Sequence, residues 1–241
     1  MKAVVLSSGG LDSTTCLALA VNKLGAENVS ALSIFYGQRH AKELEAARNV
    51  AKFYNVAHYE LDAAQIFRNS NSALLETSTA PLAKSSYAAQ MKENNSPRID
   101  TYVPFRNGLM LSMAASFADG LYDDSQIEVY IGVHSDDAAI SAYADCSAKF
   151  VAAMSAAIRI GTYEKIRLIA PFLCQTKVDV VKTGLELGAP YELTWSCYEG
   201  GEVPCGKCAT CLDRAAAFAA NGIKDPAEIN PKLDRASSSS L

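Results

Sequence analysis

The chain opens with Met1-Lys2-Ala3-Val4-Val5-Leu6-Ser7-Ser8-Gly9-Gly10-Leu11-Asp12-Ser13-Thr14-Thr15. The apolar run that ends at Leu6 predicts a fully buried strand, and apolar residues at helical spacing up to Leu24 predict a helix directly after the two glycines. Adjacent glycines allow a sharp turn and a close approach to a ligand, and a helix start presents N–H groups to an anion. The stretch therefore predicts a phosphate site at the carboxyl end of a strand. An ordinary strand-to-helix turn is the alternative.

The same alternation of strand and helix patterns continues along the chain. Further strands are predicted at 29–35, 57–61, 127–133 and 166–170, and further helices at 40–54, 109–117, 148–158, 177–187 and 212–220. Thr176 and Asp179 form a predicted capping box for one of these helices. The alternation predicts an α/β fold, a Rossmann-like parallel sheet of five strands with right-handed crossovers. Residues 62–101 show little periodicity, and we expect an insertion or a lid over the site.

Composition narrows the class of protein. The 241 residues carry 22 Lys and Arg against 26 Asp and Glu, a formal charge of −4, which argues against a main affinity for nucleic-acid backbones. No apolar run reaches the roughly 18 residues of a membrane span, and the first residues do not resemble a signal peptide. We expect a cytoplasmic protein that binds neither membrane nor nucleic acid.

Four of the seven cysteines fall close together near the end of the chain. These are Cys197, Cys205, Cys208 and Cys211. Glycine-rich spacing of this kind favours four thiolates around a tetrahedral zinc ion with no open position, hence a structural site. An iron–sulfur cluster and unrelated buried thiols are the alternatives. Cys16, Cys146 and Cys174 lie in apolar or helical contexts and are expected to be small core residues.

Several polar side chains are candidates for ligand binding, each with a structural alternative. Lys177 begins a helix after the fifth strand and either contacts the phosphates or is solvated. Arg39 and Arg106 either hold oxyanions or form structural ion pairs. Three aspartates either bind Mg²⁺ or a guanine-like N–H edge, or belong to a solvated acidic loop; they are Asp136, Asp137 and Asp145.

The string Ser8-Gly9-Gly10-Leu11-Asp12-Ser13 resembles the PP-loop of the ATP pyrophosphatases. That resemblance implies ATP, Mg²⁺ and a reaction that cleaves ATP between its α- and β-phosphates. Further strings make the resemblance narrower. They are Leu6–Leu17, Tyr36-Gly37-Gln38-Arg39-His40, Val103-Pro104-Phe105-Arg106-Asn107, Gly132-Val133-His134-Ser135-Asp136-Asp137, Tyr143-Ala144-Asp145-Cys146, Trp195-Ser196-Cys197-Tyr198, Cys205-Gly206-Lys207-Cys208 with Cys211 and Arg214, and Asp225-Pro226.

As a set, these strings resemble the QueC family of 7-cyano-7-deazaguanine synthases along nearly the whole chain. The family implies conversion of 7-carboxy-7-deazaguanine, ammonia and ATP to the 7-cyano product through adenylated intermediates, by a homodimer. The chain departs from the family pattern at Ala144, where Pro is expected, and at Ile140-Ser141, where Gly and Asn are common in a related subgroup.

The resemblance implies roles for individual residues. Catalytic roles fall to Asp12, Ser13 and Lys177. ATP contacts fall to Ser7, Ser8, Gly9, Gly10, Leu11, Asp12, Ser13, Thr14 and Thr15. Substrate contacts fall to Arg39, Arg106, Asn107, Asp137 and Asp145, and the metal ligands are Cys197, Cys205, Cys208 and Cys211. The expected domains are 1–190 for ATP, 191–224 for zinc, and a tail at 225–241.

Two other functions remain open at this point. A tRNA-thiolating enzyme of the same superfamily would carry an iron–sulfur cluster and a basic face, which the acidic composition opposes. A non-catalytic zinc-binding module on a nucleotide fold would not need the intact Ser8–Ser13 string.

Overall fold

The computed structural model describes residues 1–85, 89–90, 99–136 and 143–228. Its centre is a five-stranded sheet in the order β3-β2-β1-β4-β5, with every neighbouring pair parallel. The strands are β1 (Lys2–Leu6), β2 (Val29–Phe35), β3 (Ala57–Asp62), β4 (Ile127–Tyr130) and β5 (Ile166–Ile169). The predicted α/β fold with a parallel five-stranded sheet is confirmed.

Helices cover both faces of this sheet. They are α1 (Leu11–Leu24), α2 (Lys42–Phe53), α3 (Ala64–Phe67), α4 (Arg106–Leu121), α5 (Ala148–Gly161), α6 (Lys177–Glu186) and α7 (Ala209–Ala220). One apolar core lies against α4 and α5, and a second lies against α1, α6 and α7. The central strand β1 is buried on both faces, which explains why it is a continuous apolar run, whereas the edge strand β3 is partly exposed and carries His58 and Glu60.

The strand order reverses beside β1. The chain moves outward on one side through β2 and β3, and then continues on the other side through β4 and β5. In open parallel sheets the connections diverge at such a point and leave a crevice at the carboxyl ends of the strands. The loop after β1 opens directly onto this crevice, so the fold provides a binding site next to the glycine pair.

Some predicted boundaries shift where tertiary contacts decide them. Helix α4 begins at Arg106, three residues before the predicted start, because Asp145 Oδ2 accepts a hydrogen bond from the Asn107 N–H at 3.0 Å and caps the first turn. The capping box of α6 is confirmed. Cys16 and Cys146 are buried as expected, but Cys174 is exposed, so its assignment to the core was wrong.

The described part of residues 62–101 packs partly into the protein. Ala73, Leu74 and Leu75 are buried, and the backbone of Leu75 forms a bridge with Gln38. Arg39 Nη2 donates a hydrogen bond to the Ala80 carbonyl at 2.5 Å. These contacts attach the segment to the strand end at Tyr36–Arg39, and its movement as a lid stays a prediction.

Residues 191–228 follow the sheet without adding a strand to it. They contain the cysteine-rich segment, helix α7 and a short 3-10 turn at Pro226–Glu228. Within the described ranges, no helix combines the length and apolar character needed to cross a membrane.

Candidate active site and metal centre

A cavity of about 240 Å³ lies at the carboxyl ends of the central strands. Its walls come from the loop after β1, from α2 and α4, from the segment after β4, from the start of α6, and from residues 195–198. The polar and aromatic residues in its lining include Ser7, Ser8, Asp12, Ser13, Tyr36, Gln38, Glu43, Arg106, Asn107, Tyr143, Lys177, Trp195, Ser196, Tyr198 and Asp213. The cavity therefore combines the predicted phosphate loop with cationic side chains and aromatic rings.

The turn at Gly9 is held by packing from two sides. Gly9 has a φ of +78°, and a Cβ placed on it would lie 2.1 Å from the Glu43 carbonyl oxygen and 2.6 Å from the Ala47 nitrogen. On the other side, the Trp195 N–H donates to the Gly9 carbonyl at 2.9 Å. Only glycine fits this position, because any side chain would enter the backbone of α2. The conformation of the loop is thus fixed by helix α2 and by the cysteine-rich segment.

Hydroxyl groups cross-link the loop. Ser13 Oγ accepts from the Ser8 N–H at 3.2 Å and donates to the Gly10 carbonyl at 3.1 Å, and Ser8 Oγ lies 3.1 Å from Ser13 Oγ. The first turn of α1 adds N–H groups that have no partner within the helix. This arrangement is preorganised to receive an anion.

The nine predicted ATP contacts do not all face the cavity. Ser7, Ser8, Gly10, Asp12 and Ser13 line it. Leu11 is buried in the apolar core. Thr15 Oγ1 donates to the Leu11 carbonyl and lies 2.8 Å from the Tyr191 hydroxyl, on the buried side of α1. Thr14 Oγ1 is buried and has no hydrogen-bond partner among the described residues, and Gly9 contributes its turn.

Asp12 and Lys177 form an ion pair inside the cavity. Lys177 Nζ donates to Asp12 Oδ2 at 3.2 Å, and His134 Nε2 lies 3.8 Å from Asp12 Oδ1. Burial raises the pKa of Asp12, but the electrostatic effects of Lys177 and His134 outweigh it and leave the pKa below its ordinary value. The Lys177 N–H donates to Asp136 Oδ2 at 2.8 Å, which fixes the start of α6. The structure therefore brings Lys177, a predicted phosphate contact, next to Asp12 at the end of the glycine loop.

Arg106 forms the opposite wall. Its Nη1 donates to the Tyr36 hydroxyl at 3.4 Å, and its guanidinium carbon lies 5.2 Å from the centre of the Tyr36 ring. Asn107, the next residue of α4, also lines the cavity, but its Nδ2 donates to the Asp145 carbonyl at 3.1 Å. Asp145 is buried and spends one oxygen on the α4 cap, so it positions this wall rather than lining it.

One predicted substrate contact, Arg39, lies away from the cavity, and another falls outside the described residues. The Arg39 guanidinium donates to the carbonyls of Ser78 and Ala80 and does not line the cavity. Asp137 lies outside the described residues.

The four cysteine sulfurs converge on one point. All four Sγ atoms lie within 4.8 Å of one another, and Cys197, Cys208 and Cys211 are buried. A tetrahedral zinc site with sulfurs at ~2.3 Å requires S···S distances of about 3.8 Å, so the arrangement fits such an ion. Backbone N–H groups of Glu199 and Cys205 donate to Cys197 Sγ at 3.4 and 3.3 Å. Donors of this kind favour thiolates, as metal ligation requires.

The metal centre and the cavity share a wall. Trp195 Nε1 donates to the Cys197 carbonyl at 2.7 Å, and Trp195, Ser196 and Tyr198 line the cavity. Arg214 on α7 anchors the same segment: its Nη1 donates to Thr194 Oγ1 at 2.7 Å. Asp225 forms a bidentate pair with the Arg214 guanidinium at 2.6 and 2.9 Å. A metal ion held by the four sulfurs would therefore fix one side of the binding site.

Sequence reasoning missed Glu43 and Asp213 in the lining. Glu43 follows a string used for the family resemblance, but a glutamate in the first turn of a helix is common, so the sequence gives only a weak signal. Trp195, Tyr143 and Tyr198 lie within the quoted strings, and those strings were the signal that pointed to them.

Comparisons with known proteins agree along the chain. The family described as "Queuosine biosynthesis protein QueC" matches residues 2–222. Proteins named 7-cyano-7-deazaguanine synthase include relatives from Archaeoglobus fulgidus, 42% identical over 94% of this chain and 89% of theirs, and from Pseudoalteromonas atlantica, 42% identical over 94% and 98%. One from Caldicellulosiruptor saccharolyticus is 39% identical over 97% and 98%.

Among solved structures, an NMN synthetase from Francisella tularensis covers 97% of this chain and 84% of its own length, with 16% identity and a TM-score of 0.49. That likeness is too distant to bear on the reaction. The family match spans the chain from β1 through α7, a range that contains the glycine loop and the four cysteines, and the relatives of about 40% identity cover more than nine tenths of the chain. This chain belongs to the QueC family.

Proposed function

We propose that the protein is an ATP-dependent 7-cyano-7-deazaguanine synthase. It would convert 7-carboxy-7-deazaguanine and ammonia to the nitrile with release of AMP and pyrophosphate. The observation that carries the proposal is the single cavity that holds the glycine loop, the Asp12–Lys177 pair and Arg106 together. The name shared by relatives of about 40% identity supports the choice of substrate.

The charges of the cavity suit an adenylation step. A carboxylate is a poor electrophile, and transfer of the adenylyl group of ATP gives it a good leaving group. The loop N–H groups and Ser8 receive the departing pyrophosphate, and Lys177 supplies a positive charge beside them. Arg106 on the opposite wall binds the substrate carboxylate and directs it at the α-phosphate.

The part of the cavity that contains Asp12 also suits Mg²⁺. Asp12 Oδ1 is buried without a hydrogen-bond partner among the described residues, and so is the Oγ of Ser7, which also lines the cavity. Carboxylate and hydroxyl oxygens are the ligands that Mg²⁺ prefers. When bound with ATP, the ion would neutralise phosphate charge, and Asp12 would hold it.

Two rounds of activation complete the proposal. Ammonia first displaces AMP and forms the amide. The amide oxygen then attacks the α-phosphate of a second ATP, pyrophosphate leaves, and the nitrogen loses one proton. The C–O bond breaks with its electron pair on AMP as the nitrogen loses its second proton, which leaves the nitrile. The cysteine cluster would bind zinc and hold the Trp195–Tyr198 wall. A homodimer stays a prediction, which light scattering at micromolar concentration checks.

Mass spectrometry tests the proposal directly. The protein is incubated with 7-carboxy-7-deazaguanine, ATP, Mg²⁺ and ammonium, and the nitrile and AMP are quantified. Lys177→Met should lower AMP formation at least 100-fold, because it removes the cation beside the loop, whereas Lys182→Met, at an exposed position of the same helix, should not.

Three results would count against the proposal. An unchanged substrate together with unchanged ATP would reject it, and amide alone would limit it to the first half. A brown protein that contains iron would point to the thiolating class instead.

A further inference from the structure

Glu43 is an acidic side chain in the cavity to which the proposed reaction has so far given no task. It lies in the first turn of α2, whose backbone is in direct contact with the turn at Gly9. Its side chain lines the cavity together with Ser8 and Arg106. In the proposed reaction the loop receives the pyrophosphate, so we expect the α-phosphate, and the acyl carbon linked to it through oxygen, to lie near this wall.

The surroundings of Glu43 keep it able to exchange a proton. Glu43 interacts electrostatically with Tyr36 and Arg106, and burial raises the pKa of Glu43 to about 7 although Arg106 lowers it. Three other charged groups line the same cavity: Asp12, Lys177 and Asp213. A carboxyl group that titrates near neutral pH is suited to general base catalysis at that pH.

The proposed amide-forming step needs such a base. At neutral pH ammonia is present almost entirely as ammonium, which has no lone pair and cannot attack a carbonyl carbon. Ammonium entering a cavity that contains carboxylates must lose a proton before the C–N bond can form. Of the carboxylates that line this cavity, Asp12 is already committed to Lys177 and kept ionised at low pKa, so it is a weak proton acceptor.

We propose that Glu43 is the general base of amide formation, an assignment that rests on the proposed function. Its carboxylate takes one proton from ammonium bound beside the acyl adenylate. The nitrogen lone pair forms the C–N bond, and the bond between the acyl carbon and the phosphate oxygen breaks with its electron pair on AMP. The departing phosphate takes the second proton from the adduct, which leaves the neutral amide.

The test separates adenylation from ammonia attack. Substrate-dependent exchange of labelled pyrophosphate into ATP reports adenylation without ammonia. Mass spectrometry reports the amide formed from ammonium, or the hydroxamate formed from hydroxylamine, which is already a neutral amine at pH 7. Glu43→Gln should keep exchange within about 2-fold and lose amide formation from ammonium at pH 7 by at least ~100-fold. Its reaction with hydroxylamine should stay within a few-fold of the wild type.

A pH profile adds a signature that a structural role would not produce. In the wild type the rate with ammonium should rise as Glu43 ionises and level off above about pH 7. In Glu43→Gln the rate should follow free ammonia alone and keep rising until about pH 9, where it should approach that of the wild type. Glu45→Gln, at an exposed position of the same helix, is the matched control and should behave as the wild type.

Two outcomes would overturn the assignment. If Glu43→Gln needs tenfold more 7-carboxy-7-deazaguanine in exchange and keeps its rate with ammonium, Glu43 holds the N–H edge of the deazapurine. If exchange and amide formation fall together, Glu43 acts before ammonia enters. Absence of exchange in the wild type would reject the proposed function itself, a result distinct from both.

Discussion

Gly9→Ala tests the packing that fixes the phosphate loop. The new Cβ would lie 2.1 Å from the Glu43 carbonyl oxygen, so the start of α2 must shift. A left-handed φ costs a non-glycine residue ~1–2 kcal/mol, and overpacking of this kind costs ~1–3 kcal/mol more. We therefore expect Gly9→Ala to lower the free energy of unfolding by about 2–5 kcal/mol.

Gly188→Ala is the control that separates the two contributions. Gly188 also has a positive φ, +66°, but no heavy atom lies within 4 Å of its would-be Cβ. It should show the backbone cost without the overpacking, so Gly9→Ala should be the less stable variant by about 1–3 kcal/mol. The relief of chain entropy in the unfolded state applies equally to both substitutions.

Urea unfolding followed by fluorescence measures this difference. Trp195 is the single tryptophan of the chain, and its backbone N–H donates a hydrogen bond to the Gly9 carbonyl. Its emission therefore reports on the loop. Both variants should be compared at equal metal content, because bound metal adds to the apparent stability. Equal midpoints and slopes for the two variants would refute the packing argument.

Three further predictions concern the metal, the Arg214 anchor and Glu43. Cys208→Ser should lose metal and shift Trp195 emission; full metal content by elemental analysis would remove Cys208 from the ligand set. Asp225→Asn should lower the free energy of unfolding in urea by about 3–5 kcal/mol, because the buried Arg214 guanidinium loses the negative charge that pairs with it. A loss below about 1 kcal/mol would contradict this. Glu43 has a raised pKa, so the folded state holds its proton longer and stability should fall between pH 4.5 and about 7. Relative to Glu43→Gln, that loss should approach roughly 3 kcal/mol, and parallel curves would contradict it.

The sequence was sufficient for the sheet because local signals and global fold agree there. The apolar runs at β1 and β2, the glycine pair and the capping box at Thr176 each specify a local structure that the tertiary contacts reinforce. The convergence of the four cysteines could also be predicted from the sequence, since it follows from their short spacing and the turn residues between them. The strand order needed the structure, because it depends on which side of β1 the chain returns to.

The lining of the cavity was harder to predict for a physical reason. Arg39 and Arg106 look alike in sequence, but the backbone carbonyls of Ser78 and Ala80 bind the first, whereas the second remains on the cavity wall. Thr15 lies in α1 close to the loop, but its hydroxyl contacts Tyr191 and not the cavity. Such choices depend on partners far along the chain, which periodicity does not reveal. The catalytic and binding roles of the residues that line the cavity stay predictions.

The hydrogen bond from the Trp195 N–H to the Gly9 carbonyl also bears on the order in which the protein matures. During synthesis the glycine turn is made well before the segment around Trp195 that contacts it. A ribosome-bound chain can therefore expose the turn before the four sulfurs have come together. If the proposed function holds, the ability to use ATP would arise only after that segment has folded against the turn.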